Sequence, residues 1–305
     1  MTFVLKILGA NSAAPAHNRN QSSQLLNIQN QYFLIDCGEG TQHQLRRFKV
    51  RISKINHIFI SHLHGDHYLG LMGLILTMHL QGRVNDLFIF GPSGLSEIIT
   101  IQLKHSKTVL NFRIVFTGID PSANILIFET IALNVHTISL SHRIGCTGFL
   151  FREKPKLRRI NKLRMPENIS LMQIVALKNG EDLYDGLGKI IYKNGDLTLA
   201  PKKSRSYAYC SDTIYDESII GFLKNVDLLY HESTFLHEQV MRARETFHTT
   251  ALQAGIIAKK AQVGQLILGH YSIRYKDLLP LLEEARQEFT NTILAIEGND
   301  VVLEE

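Results

Sequence analysis

The chain has 305 residues, 45% of them hydrophobic and 20% charged, with a formal net charge of +5. That composition excludes a disordered or collagen-like chain and suffices for one large α/β core or two smaller ones. Cys37, Cys146 and Cys210 are odd in number and far apart, so no disulfide framework is expected and a cytoplasmic location fits.

Taken in chain order, residues 2–8, 24–28 and 32–36 read as short strands with polar turns between them. Residues 2–8 lack the basic start, long apolar stretch and cleavage site of a signal peptide. No apolar run reaches the roughly 18 residues of a membrane-spanning helix. Residues 40–48 read as a helix and 55–61 as a strand. Residues 69–80 follow as a helix that is apolar nearly all round, which predicts burial between two layers. A strand at 87–90 and a helix at 94–104 come next, then strands at 113–116, 125–129, 131–139 and 148–151. From 152 to 205 periodicity is weak and Gly and Pro recur, which predicts an excursion from the main body. Regular structure resumes with strands at 206–210, 226–231, 265–269 and 292–297. Helical segments at 216–224, 249–261 and 276–288 alternate with them. Strands and helices alternate in both halves, so the expected architecture is a four-layer α/β/β/α domain.

The chemistry concentrates in Ser61-His62-Leu63-His64-Gly65-Asp66-His67. His62 and His64 lie two apart, so in an extended segment they project to one side. Gly65 permits a sharp turn, which would aim Asp66 and His67 at a neighbouring point. Imidazole and carboxylate suit zinc or manganese, and four of them converging suggests one or two ions. Further ligands should come from strand ends, and His142, Asp212 and His270 each stand where an apolar strand meets a polar loop.

Charge is also uneven. Between Arg152 and Arg164 the seven basic residues Arg152, Lys154, Lys156, Arg158, Arg159, Lys162 and Arg164 face one acid, Glu153. Such a segment suits a polyanion, whose phosphates would supply salt-dependent affinity.

Together these features resemble the metallo-β-lactamase superfamily. Asp36-Cys-Gly-Glu-Gly-Thr-Gln, Tyr209-Cys-Ser-Asp-Thr, His231-Glu-Ser-Thr-Phe, Phe247-His-Thr-Thr-Ala and Leu268-Gly-His-Tyr-Ser-Ile-Arg-Tyr narrow the likeness to the ribonuclease Z branch. The motifs run in that family's order across nearly the whole chain. The resemblance implies a four-layer αββα metallo-β-lactamase fold forming one domain over 1–305, with 152–205 as an inserted tRNA-binding arm. It implies two Zn2+ per subunit, with Mn2+ or Co2+ as substitutes. His62, His64 and His142 would hold one ion, Asp66, His67 and His270 the other, and Asp212 would bridge them. The expected activity is endonucleolytic removal of the 3′ trailer from precursor tRNA by attack of a hydroxide shared by two metal ions. It would leave a 3′-hydroxyl on the tRNA and a 5′-phosphate on the trailer. Asp66 would orient the hydroxide, and His248, held by Glu232, would protonate the leaving oxygen. Substrate contacts are expected from Arg19 and Asn20 beside Asn18, from Ser272 and Arg274, and from Lys154, Lys156, Arg158 and Arg159. The family likeness implies a homodimer; no membrane contact and no other protein partner is indicated. One departure is Met165-Pro-Glu-Asn-Ile-Ser, where the family's arm carries a Gly–Pro-rich tip.

Two other readings compete. A small-molecule hydrolase acting on a thioester, lactone or β-lactam needs neither the basic excursion nor the His248/Glu232 pair. A catalytically silent RNA-binding protein of the same fold would have lost ligands, yet all seven positions are filled.

Overall fold

A computed structural model describes residues 2–305, in which strand-forming segments collect into two seven-stranded sheets. The first runs Asp300–Val302, Phe3–Gly9, Ser23–Ile28, Gln31–Ile35, Ile55–Phe59, Leu87–Pro92 and Ile114–Ile119. The second runs Thr292–Leu294, Gln265–Gly269, Leu228–Glu232, Ser206–Cys210, Cys146–Glu153, Leu133–Leu140 and Leu126–Glu129. In each sheet one half is antiparallel and the other parallel.

Side-chain alternation sorts each strand between two cores. In the first sheet Phe33, Ile35, Phe59 and Phe90 join the core shared with the second sheet, while Leu34, Ile58, Ile60 and Ile89 join the outer one. Aromatic rings lock the inner layer: Phe59 lies 5.4 Å from Phe149 and Phe33 lies 5.7 Å from Phe151, centroid to centroid. Helices Leu71–Leu80 and Gly94–His105 cover the outer face of the first sheet. Helices Ala251–Ala261 and Leu279–Arg286 contribute Ala254, Ile257 and Leu281 to the core of the second. The α/β/β/α expectation holds.

Helix Leu71–Leu80 differs from its sequence reading. Only Leu71, Leu74, Ile75 and Met78 are buried, Met72 and Leu76 are half-buried, and Leu80 is exposed. The spacing i, i+3, i+4, i+7 marks a single packed face, so the helix rests on one sheet and is not enclosed between layers.

The excursion departs from the second sheet and returns to it between adjacent strands, with Phe151 paired to Tyr207 and Arg152 to Ser206. It is a small folded unit where weak periodicity had suggested irregular chain. Arg159–Ile160 pairs with Thr198–Leu199, and Leu183–Tyr184 with Ile190–Tyr192. Helix Leu171–Asn179 starts at a capping box of Ser170 and Gln173 and stops at Gly180, whose φ of 95° suits the left-handed C-cap. Leu177, Leu183 and Leu197 form its own small core. At the stem, Arg205 donates from Nε and Nη2 to the two carboxylate oxygens of Glu153 at 2.9 and 2.7 Å, with both side chains buried.

Candidate metal centre

Functional side chains gather at the carboxyl ends of the parallel strands, where α/β sheets place their chemistry. Strand Ile55–Phe59 delivers the segment from Ser61 to His67, and Ser206–Cys210 delivers Asp212. Leu228–Glu232 ends on Glu232 itself, and Gln265–Gly269 delivers His270. His142 follows the antiparallel strand Leu133–Leu140. Two of the turns carry non-glycine residues at positive φ, Asp36 at 54° and His270 at 57°. Strain of this sort persists where surrounding contacts hold it.

All seven side chains read from the sequence converge. His62 and His64 do share a side: His62 Nε2 and His64 Nδ1 are 3.0 Å apart, and His142 Nε2 lies 3.2 Å from His64 Nδ1. Asp212 Oδ2 closes this group at 3.5 Å from His62 and 3.7 Å from His142. The other oxygen of Asp212 faces the second group, at 3.1 Å from His270 Nε2 and 3.3 Å from His67 Nε2. Asp66 Oδ2 stands 3.5 Å from each of those nitrogens. Asp66 and His67 reach this point from the short helix Gly65–Tyr68. Atoms bound tetrahedrally at about 2.0–2.1 Å from one ion sit about 3.4 Å from each other. The observed spacings are those of two adjoining groups of donor atoms, each of which could hold a metal ion.

The outward ring nitrogens carry protons, so with a cation in place the inward ones would present lone pairs to it. His67 Nδ1 donates to Asp36 Oδ2 at 2.7 Å, and His142 Nδ1 to the Phe247 carbonyl at 2.9 Å. His62 Nδ1 donates to Ser61 Oγ at 3.0 Å, itself a donor to Asp36. His270 Nδ1 donates to Thr234 Oγ1 at 3.0 Å, and that hydroxyl donates on to Glu232. Committing the proton on one nitrogen leaves the other free to coordinate. The donor set thus fits divalent metal ions.

Electrostatics agree. Burial works against charge on His67, but Asp212, Asp66 and Asp36 outweigh it and hold the ring's pKa well above its usual value. Burial likewise opposes charge on Asp212, but His270, His67 and His62 hold its carboxyl well below the usual range. The site is built for positive charge.

Beside it stands a second pairing. His248 Nδ1 donates to Glu232 Oε1 at 2.9 Å, and the His248 ring lies 5.2 Å from His142 and 5.3 Å from His270. Glu232 is fully buried and also accepts from Thr213 N–H at 2.7 Å and Thr249 N–H at 3.1 Å. Burial would lower the His248 pKa, yet Glu232 raises it to about 9.

Both groups border a cleft of about 510 Å³, which Arg143, Arg242 and Thr246 also line. Neither arginine stood out in the sequence. Asp36, Ser61 and Thr234 were likewise given no role, although Asp36 obeys the strand-end rule that picked out Asp212. The proposed substrate residues near the termini fare differently. Arg19 is held by Asn11 Oδ1 at 3.0 Å and by the carbonyls of Tyr275 and Lys276. Asn20 Nδ2 donates to Glu297 at 2.9 Å. None of Arg19, Asn20, Ser272 and Arg274 lines the cleft. In the arm, Lys154 pairs with Glu129, Lys156 with Glu153 and Glu305, Arg158 with Thr198, and Arg159 with the Ala200 carbonyl. Lys162 and Arg164 are exposed and have no partner among the described residues.

A family model described as "Anti-Pycsar protein Apyc1" matches residues 3–118. Ribonuclease Z of Cytophaga hutchinsonii is 51% identical over 98% of this chain and 96% of its own. Ribonuclease Z of Bacteroides fragilis is 45% identical over 97% of each. Among solved structures, human tRNase Z, short form, superposes with a TM-score of 0.73 at 26% identity over 98% of both chains. A metallo-β-lactamase fold protein of Bacillus subtilis, YhfI, has a TM-score of 0.69 at 20% identity over 98% of both chains, a likeness of fold alone. With that identity over nearly the whole length, and with this architecture, the chain belongs to the ribonuclease Z family.

Proposed function

We propose that this endoribonuclease matures the 3′ end of tRNA by cutting the trailer from the precursor, with zinc in both cages. The observation that carries the reading is the Asp212 carboxylate, whose two oxygens each face one of two adjoining His/Asp groups. Beside them stands a separate imidazole–carboxylate pair. Divalent ions held there would lower the pKa of bound water towards about 7 and neutralise charge gathering on the phosphate.

The chain's own residues supply the rest. His62, His64 and His142 would hold one ion, Asp66, His67 and His270 the other, with Asp212 across both. Asp66 Oδ2 already accepts the Ala13 N–H at 2.7 Å, which fixes its carboxylate beside the substrate cleft, ready to orient the attacking water or take its proton. His248 would give a proton to the departing ribose 3′-oxygen, since an alkoxide is a poor leaving group. Glu232 keeps that ring charged and correctly turned. The products are a tRNA with a free 3′-hydroxyl and a trailer with a 5′-phosphate. A thioester's thiolate leaves without such an acid, which disfavours the thioester reading.

The arm at 152–205 is the proposed grip on the tRNA body. Lys162 and Arg164 are its best candidates for phosphate contact, because Lys154, Lys156, Arg158 and Arg159 already bond within the protein. A homodimer and a cytoplasmic location complete the proposal; among the described residues no helix is long and apolar enough to cross a membrane. Purified protein incubated with a labelled trailer-bearing pre-tRNA, with and without a chelator, tests the reading. A chelator-sensitive cut at the trailer junction supports it. An intact precursor beside rapid thioester turnover sinks it.

A further inference from the structure

We propose that a groove adjoining the metal cleft binds one nucleotide of single-stranded RNA flanking the cut. Arg143 would hold its phosphate and Phe222 would carry its base. The proposal rests on the nuclease reading above and adds a subsite to it. The groove, of about 620 Å³, lies between the turn at Ser122–Asn124, the end of strand Leu133–Leu140 with the loop that follows it, and the consecutive helical turns Glu217–Ile219 and Ile220–Leu223. His142 and Arg143 belong to both cavities, so RNA lying across the metal cages can continue into the groove without leaving the protein surface.

Arg143 immediately follows a residue of the first cage, is exposed, and has no hydrogen-bond or ion-pair partner among the described residues. In a protein that uses Arg19, Arg83, Arg158 and Arg205 as internal braces, an unengaged guanidinium at the mouth of a phosphodiester site is set apart. Its planar fork suits a phosphate. Phe222 is 41% exposed and Ile144 is 39% exposed on the same groove, an apolar platform of the kind on which unpaired bases stack. Asp216 is the only acid among the groove's described residues, and its Oδ1 is occupied in accepting the Ser218 N–H at 2.8 Å. The walls are braced: Asn124 Oδ1 accepts the Ser139 N–H at 2.8 Å, and Thr213 Oγ1 accepts that of Ser141 at 3.2 Å. The groove is therefore preformed, which lowers the cost of binding.

The nucleotide can come from the trailer or from the unpaired 3′ end of the tRNA. Trailer length, together with inhibition by mature tRNA, separates the two. Wild type, R143A, R143K and F222A are compared on pre-tRNA with one-nucleotide and eight-nucleotide trailers, and on bis(p-nitrophenyl) phosphate, with metal content measured alongside. A stacked base and a phosphate contact are each worth roughly tenfold in binding. R143A and F222A should each lower kcat/KM for long-trailer pre-tRNA roughly tenfold relative to the small diester, chiefly through KM, with R143K intermediate. A loss confined to the long trailer assigns the nucleotide to the trailer beyond its first residue. A loss on both lengths places it beside the cut, where a weaker Ki for mature tRNA as competitor assigns it to the tRNA end and an unchanged Ki assigns it to the first trailer nucleotide. Equal loss on RNA and diester, or no loss on RNA, overturns the proposal. Wild-type protein that leaves every pre-tRNA intact removes the nuclease reading and this subsite with it.

Discussion

Glu153→Gln at the stem of the arm should cost between about 1 and 3 kcal/mol at pH 7, and the cost should fade in acid. Glu153 and Arg205 are both buried and joined by two side-chain hydrogen bonds. Glu153 also accepts the Arg205 backbone N–H at 2.9 Å. Burial opposes charge on Glu153, but these bonds from Arg205 prevail and take its pKa from 4.5 to about 2. That depression corresponds to at most about 3 kcal/mol of stability drawn from the ionised form, reduced by whatever solvent screening reaches the pair. The sign follows from the depression. The stabilisation is fully present above the unfolded-state pKa and is lost as pH falls through about 4.5 towards 2, dropping to less than half by about pH 3. Urea unfolding of wild type and E153Q at pH 7, 5, 4 and 3 measures the gap directly. A gap under about 1 kcal/mol at pH 7, or one that does not shrink in acid, would refute the ion-pair account. Because the pair clamps the point where the arm leaves and re-enters the sheet, E153Q should also weaken pre-tRNA binding more than small-diester hydrolysis.

Asp212→Ala removes an oxygen from both cages, so it should abolish cleavage and reduce bound metal, read by elemental analysis; full metal with normal rates would contradict a bridging role. His248→Ala should slow cleavage by a factor of about 10² to 10⁴, the usual contribution of general acid catalysis, with metal content nearly unchanged; lost metal would make His248 structural. Neutralising Lys162 and Arg164 to Ala should flatten the dependence of log affinity on log salt by about one to two units, while a titration of identical slope would exclude them as phosphate contacts. Leu177→Ala should open a cavity in the arm's three-residue core at about 2–5 kcal/mol, seen as faster protease nicking within 154–204; unchanged nicking would mean the arm takes no support from that core.

Much of the site was legible in the chain because metal ligation demands particular side chains at particular steps. The spacing of His62 and His64 placed two nitrogens on one side of an extended segment, and they stand 3.0 Å apart. Strand ends offered His142, Asp212 and His270 before any sheet was in view, since an apolar run meeting a polar loop marks the edge of a core. The layered fold was readable because strands and helices alternate in both halves, which calls for helices covering two packed sheets.

What escaped was whatever depended on partners distant in sequence. Asp36 braces His67 and Ser61 from 31 and 25 residues away, and no local pattern connects them. Arg19 looked free to meet substrate, yet Asn11 and two carbonyls near Tyr275 engage it. The arm's weak periodicity hid a folded unit, because three buried leucines suffice for so small a core. Side-chain type and spacing thus declared the reaction's ingredients, whereas the tertiary packing alone decided which carboxylate turns which imidazole and which arginines remain unengaged.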